Sequence, residues 1–337
     1  MPLPAKRFPG PNISDGLLRV TLLILAASSF LFAPPLARSA EKLRVSHCYI
    51  GGAVMPLWVP KEAGLFNREG LDVELIWIQG NPAVAALIAG EIDLLYCIPH
   101  NAISAMASGA DLLFIASTYN RMQYRIVAAP GIERAEQLKG KIVGVARVHD
   151  VSHFYMRLGL QRLGMNPEQD IRVVAVGGQN DRVLALKSGR VAATIVNPAN
   201  ALILEKAGFK TVLDLESLGF PVVGNTMAVR RSTLKERRAT LVKFLRAFMA
   251  GVKKIQSEPE LSKKVLAQYL RLKDRDVIEE NYRFNSGQLL ESVPAIPLQG
   301  LRYAVESLVP TVPAAKGLKA ESMIETGILE EAMRGAS

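Results

Sequence analysis

The sequence predicts an α/β protein of two lobes with a cleft between them. Three observations carry this expectation. Short apolar strands alternate with helix-patterned stretches. The alternation starts again, in register, at an offset of 99 positions. Long amphipathic, charged segments follow the second series.

Leu43–Cys48 reads as the first strand, and Pro56–Phe66 as a helix ended by Asn67 and Gly70. Leu71–Ile78 is a second strand, Pro82–Ala89 a helix stopped by Gly90, and Ile92–Cys97 a third strand. His100–Ser108 is a helix and Leu112–Thr118 a strand. This order calls for a parallel sheet covered by helices on both faces. It resumes with the strand Lys141–Ala146, the helix Val151–Leu163, the strand Ile171–Val176, the helix Arg182–Lys187, the strand Val191–Val196 and the helix Pro198–Ala207. In the shared register Ala86–Gly90 falls on Ala185–Gly189, Asn81 on Asn180, Ile92 on Val191 and Pro99 on Pro198. Two lobes on one plan account for several matches in one register. A return strand, Val222–Val229, precedes helices at Thr233–Gln256, Glu260–Leu270, Asp274–Phe284 and Leu298–Leu308. These do not extend the second lobe's strand pattern and are expected to pack on the first. The expected boundaries are 41–128 plus 224–337 for lobe 1 and 129–223 for lobe 2. The chain would cross at Ala128–Gly131 and Pro221–Gly224, both with the Pro or Gly of a hinge.

The chain has 337 residues, 49% hydrophobic and 21% charged, as in globular proteins. Residues 1–40 read as an export signal: Lys6, Arg7 and Arg19 are basic, Val20–Phe32 is apolar, Pro34 and Pro35 break the run, and Ala37, Ser39 and Ala40 are small. The apolar run is short for a bilayer span; an uncleaved anchor is the alternative. Cleavage near residue 40 removes four basic residues (Lys6, Arg7, Arg19, Arg38) and one acidic (Asp15), taking the formal charge from +10 to +7. The basic excess, as in Lys235, Arg237, Arg238, Lys243 and Arg246, lacks interleaved aromatic residues, so nucleic acid is not an expected partner. A solvated helix face is the first reading, and attraction of an anionic ligand or surface the second. Export permits a disulfide between Cys48 and Cys97, but as strand-end residues they read first as small buried hydrophobes.

A family resemblance enters at Pro56–Leu75, PLWVPKEAGLFNREGLDVEL, followed by Gln79–Pro82 and Ala85–Leu94, AALIAGEIDL. Gln137–Val145, QLKGKIVGV, and Leu186–Ala193, LKSGRVAA, continue it, with Ala192 where an acidic residue is common. The order of these segments resembles the substrate-binding proteins of ABC importers for aliphatic sulfonates, taurine, nitrate and thiamin-pyrimidine precursors, the NMT1/THI5-like group. The resemblance spans roughly residues 43–310. It implies a type II periplasmic-binding-protein fold, two Rossmann-like lobes closing on a ligand in a central cleft. The pyrimidine synthases of that superfamily use a cysteine-rich segment and a lysine-held cofactor; two cysteines and an export signal do not fit them.

In open α/β sheets ligands bind beyond the carboxyl ends of the strands. That rule selects His47, Tyr49, Gly51, Gly52, Gln79, Asn81, His100, Asn101, Tyr119 and Asn120 in the first lobe. In the second it selects Arg147, His149, Ser152, His153, Gln179, Asn180 and Asn197, with Asn225 on the return strand. All four histidines are expected in these loops. Gly51 and Gly52 would let backbone amides approach a ligand, or simply form a turn. Asn81 and Asn101 would cap helices. Arg147 would fork onto a carboxylate or sulfonate, or stand on the surface. His149-Asp150-Val151-Ser152-His153 has a zinc-compatible spacing but lacks the Glu of the metalloprotease pattern, so helix capping by Asp150 or Ser152 is the expectation, with no metal and no cofactor.

Together these readings give a periplasmic, monomeric solute-binding protein. It would take a small polar or heteroaromatic ligand (sulfonate, nitrate or pyrimidine-like) and hand it to an ABC importer permease at the inner membrane. No catalytic residue is expected. An exported enzyme using His149 or His153 as general base, or a ligand-sensing subunit, are the alternatives.

Overall fold

The computed structural model describes residue 1 and residues 40–122, 124–148, 150–220, 222–288 and 293–334. The expected export signal therefore lies outside the described residues, as do His149 and Pro221. From residue 40 onward two five-stranded sheets organise the chain. The strands are β1 (Glu41–His47), β2 (Leu71–Trp77), β3 (Leu94–Cys97), β4 (Leu112–Thr118), β5 (Arg125–Ala128), β6 (Lys141–Val145), β7 (Ile171–Ala175), β8 (Ala193–Val196), β9 (Lys210–Asp214) and β10 (Asn225–Arg230). The first sheet has the order β2-β1-β3-β10-β4 and the second β7-β6-β8-β5-β9. In each, four strands run in one direction and a single antiparallel strand, β10 or β5, is inserted between the third and the fourth of them. The repeat seen in the register of the sequence is thus a repeat of topology.

Two strands were not anticipated. β5 and β9 pair with each other in the second sheet, so 125–128, expected at the end of lobe 1, belongs with lobe 2. The first crossing therefore lies between Thr118 and Arg125 rather than at Ala128–Gly131. The second lies between Leu218 and Asn225. The return strand starts at Asn225, not Val222.

The crossings touch. Asn120 Oδ1 accepts from Ser117 Oγ at 2.7 Å and from the Gly224 amide at 3.1 Å, while its Nδ2 donates to the Ala295 carbonyl at 3.2 Å. A Cβ on Gly224 would lie 2.0 Å from the Tyr119 carbonyl oxygen and 2.3 Å from that of Thr118, so only glycine fits there.

Helices cover the first sheet on both faces. On one face, α1 (Met55–Glu62) and α2 (Leu65–Arg68), separated by Gly64 at φ +67°, replace the single helix expected over Pro56–Phe66. They bury Trp58 and Phe66 against the 20-residue helix Arg238–Ser257, where Phe66 stacks on Phe244 at 5.2 Å. On the other face, α3 (Asn81–Ala89) and α4 (His100–Ala107) pack with Leu298–Leu308 through Leu87, Ile103, Leu301 and Val305. Burial of each large apolar side chain contributes roughly 1.5–3 kcal/mol. The C-terminal helices thus return to the first sheet, with one exception: Arg275–Arg283 packs on the second lobe's helix Pro198–Lys206, where Lys206 Nζ lies 2.9 Å from Asp276 Oδ2.

Cys48 and Cys97 are joined in a disulfide with a Cα–Cα distance of 5.5 Å, correcting the expectation of free buried thiols. Parallel pairing is the reason. β1 and β3 are neighbours with His47 opposite Tyr96, so the next residue of each strand is a cysteine facing a cysteine.

Candidate functional site

A cavity of about 860 Å³ opens between the two sheets. Its walls come from chain segments leaving the carboxyl ends of parallel strands in both sheets. Tyr49–Ala53 follows β1, Gln79–Asn81 follows β2, and His100 and Asn101 follow β3. Ala146, Arg147 and Asp150 follow β6, Gln179 and Arg182 follow β7, and Asn197–Ala199 follow β8. The antiparallel strands enter from the same side, bringing Tyr124 before β5 and Gly224 and Asn225 at β10. Both sheets therefore point the same edge at one space.

Of the residues selected from sequence, Tyr49, Gly51, Gly52, Gln79, Asn81, His100, Asn101, Tyr119, Arg147, Ser152, His153, Gln179, Asn197 and Asn225 line this cavity. His47, Asn120 and Asn180 do not. His47 is the last residue of β1, its Nδ1 2.8 Å from the Tyr49 carbonyl and its ring edge-on to Trp58 at 6.1 Å. Burial lowers its pKa. Asn120 ties the crossings together, and Asn180 is exposed on the helix Gln179–Lys187. Nor do the histidines all sit in loops: His47 ends a strand, and His100 and His153 lie in helices.

Local roles also differ from expectation. Asn81 and Asn101 do not cap: the N-cap residues are Gly80 and Pro99, with no side-chain cap bond at either. Asn197 does cap, its side chain accepting from the Asn200 amide at 2.9 Å. Gly52 is required by packing, since a Cβ would fall 1.9 Å from Asn281 Oδ1 and 2.4 Å from Asn285 Nδ2. Asp150 caps as expected, accepting from the His153 amide at 3.0 Å and from Ser152 Oγ at 2.7 Å. Among the described residues no group of three or more His, Cys, Asp or Glu is placed to hold a metal ion.

The first-lobe wall is a phenol cluster. Asn225 Nδ2 donates to the Tyr49 hydroxyl and, at 3.4 Å, to the Ala53 carbonyl. The Tyr96 hydroxyl donates to the same carbonyl at 3.1 Å. Tyr119, at φ +57°, presents a buried hydroxyl with no partner among the described residues, and His100 a buried Nδ1 in the same condition. Burial pushes both tyrosines, Tyr49 and Tyr119, well above the ordinary phenol value. It also holds His100 down at about 4, so its imidazole is neutral at pH 7.

The second-lobe wall is cationic. Arg147, Arg157 and Arg182, with Arg121 from the first crossing, line the cavity against one carboxylate, Asp150. Arg121 lies 3.9 Å from Glu216, and Arg157 pairs with Glu168. Arg147 stands exposed at the mouth, its guanidinium 3.8 Å from where a Cβ on Gly80 across the cleft would be. Arg182 is different: it is 4% exposed, and neither Nε nor Nη1 finds an acceptor among the described residues. Sequence reasoning missed it. A signal was present, because the 99-position register sets Arg182 on Ala83, a fully buried position of the equivalent helix. A charge where the sister lobe buries an apolar residue marks a departure from the shared plan.

The family model described as NMT1/THI5 like matches residues 52–262. Comparison with curated proteins finds no match. Among solved structures, the chain resembles the periplasmic aliphatic sulphonate binding protein SsuA of Escherichia coli with a TM-score of 0.71 at 19% identity, covering 85% of this chain and 92% of that one. The alkanesulfonate-binding protein SsuA of Xanthomonas axonopodis pv. citri, bound to MOPS, gives 0.68 at 19% identity over 85% and 98% of the two chains. The periplasmic nitrate-binding protein NrtA of Synechocystis PCC 6803 gives 0.69 at 16% identity over 88% and 89%. Likeness at this identity establishes the two-lobed periplasmic-binding-protein fold.

Proposed function

We propose that this chain, which belongs to the NMT1/THI5-like family, is an extracytoplasmic solute-binding protein that holds a small polar or heteroaromatic molecule between its lobes and delivers it to an ABC importer. One observation carries the reading: both sheets present the carboxyl ends of their parallel strands to a single cavity of about 860 Å³, the place and size of a small-molecule site. Proteins of the same fold described as binding sulfonates and nitrate support it. The lobes are 41–118 with 225–334, and 125–220, joined by the two touching crossings, about which they rotate to close. Periplasmic location follows from the reading of residues 1–40; no helix among the described residues is long and apolar enough to cross a membrane.

The test is calorimetry and thermal shift on purified chain, stripped of carried ligand by unfolding and refolding. The panel holds taurine, longer alkanesulfonates, nitrate, aromatic carboxylates and hydroxymethylpyrimidines. At 100 times its dissociation constant a ligand adds about 2.7 kcal/mol. The expected result is one class that stabilises the fold, loses its effect in Asn81→Ala/Arg147→Ala, and is recovered chemically unchanged after denaturation. Conversion of a bound compound would overturn the reading in favour of an enzyme.

A further inference from the structure

We propose that Arg182 is the anion anchor of the cleft, and that the cognate ligand carries a carboxylate or sulfonate head on an aromatic body. This rests on the binding-protein reading above and deepens it.

The anchor argument is one of accounting. Buried arginines are found paired, because an unpaired buried cation is costly. The carboxylates whose charge reaches Arg182 are Asp150 and Asp181, and both are engaged elsewhere. Asp150 Oδ1 accepts from Ser152 Oγ and the His153 amide, while Asp181 Oδ2 accepts from the Gly178 amide at 2.8 Å. Arg182 is one of the residues lining the cavity, and two of its guanidinium nitrogens, Nε and Nη1, are buried without an acceptor among the described residues. A carboxylate or sulfonate oxygen supplies what is missing, in the forked geometry guanidinium favours.

The body of the ligand follows from the rest of the lining. Tyr49, Tyr119, Tyr124, Phe154, Tyr155 and Phe284 give the cavity aromatic faces, and Tyr124 lies 5.6 Å from Tyr155. An aliphatic sulfonate or nitrate would use the cation and leave these faces without a partner; an aromatic ring packs on them. The two orphaned groups of the opposite wall complete the pattern. Neutral His100 Nδ1 and the Tyr119 hydroxyl are buried, unpartnered and on the first-lobe side. They can take a hydroxyl or amine carried on the ring, at the far end from the anionic head.

Isothermal titration with 4-hydroxybenzoate, benzenesulfonate and the neutral 4-hydroxybenzamide tests this, with taurine and nitrate as small anions. The acid is expected to bind about tenfold to a hundredfold more tightly than the amide, the range of one charge-assisted hydrogen-bond set. In Arg182→Met that preference should fall to near unity. The melting temperature of the ligand-free variant should hold or rise, because an unpaired buried charge has been replaced by an apolar chain of similar length. Arg182→Lys should retain a partial preference. Three outcomes overturn the proposal: equal binding of acid and amide, a preference that survives Arg182→Met, or an Arg182→Met protein several degrees less stable with its preference intact. Binding of taurine, nitrate or a neutral pyrimidine with no binding of any aromatic anion also overturns it, while leaving the solute-binding reading standing.

Discussion

Replacing both cysteines tests the covalent tie in the cavity wall. Cys48 and Cys97 are separated by 49 positions, so the bridge closes a loop holding α1, α2, β2 and α3. In the chain-entropy description, opening a loop of that length restores about 4 kcal/mol of entropy to the unfolded state at 25 °C. The unfolding entropy near the melting point is about 2.1 cal/mol/K per residue, or roughly 0.6 kcal/mol/K for the chain beyond residue 40. The Cys48→Ala/Cys97→Ala variant should therefore melt about 6 °C below the oxidised protein by differential scanning calorimetry. Cys48→Ala alone should fall as far as the double variant, since either removes the bridge. Mass spectrometry of the unreduced protein should show both thiols blocked to alkylation. A shift under about 1 °C, or a free thiol in the folded protein, would refute the argument.

Three further predictions concern the core and the crossings. Gly224→Ala should destabilise the protein by at least about 2 kcal/mol in guanidinium unfolding, because its Cβ meets two backbone carbonyls that no rotamer can move; Gly178→Ala, whose Cβ has only Asp181 at 3.6 Å, should stay within about 0.5 kcal/mol of wild type. His100 has a folded pKa of about 4 against 6.5 unfolded, so between these values the unfolded chain takes up a proton that the folded one does not. Its contribution is intact above pH 6.5 and declines by about 3 kcal/mol toward pH 4. His100→Leu should flatten that part of the stability profile, and a ring proton of His100 titrating near 6.5 by NMR would contradict it. Asp93→Asn should cost about 2 kcal/mol in the same unfolding assay, since this buried carboxylate accepts the Arg44 amide at 2.8 Å and pairs with Arg237 at 2.8 Å.

The parallel strands were legible because strands buried on both faces are continuous apolar runs: Leu94–Cys97 is buried throughout. β9 was not, because it is an edge strand with half-exposed side chains and a lysine at its start, and so carries no strong pattern. β5 is only four residues long, and its partners β8 and β9 lie far along the chain. The disulfide was hidden for the same reason, since the β1–β3 register decides it and no local signal reports that register. The location of the cleft needed only the strand order and the rule for carboxyl ends. The contents of its walls were legible where a residue directly follows a strand, as Asn197 follows β8, or opens the next helix, as Asn81 does. They were obscure where side chains arrive from within a helix, as Arg182 does, or from the C-terminal segment, as Asn281 and Phe284 do.

Asn120 gives the two crossings a mechanical character that neither would have alone. Each connector leaves a strand held on both sides or at a sheet margin, and one side-chain amide, hydrogen-bonded to the Gly224 backbone, lashes them together where their backbones already touch. Two separate tethers would let the halves twist, slide and bend. Two tethers lashed at a point of contact resist torsion better than two separate ones. In the closing motion proposed for the two lobes, that lashing would return the opposing cavity walls to the same alignment each time.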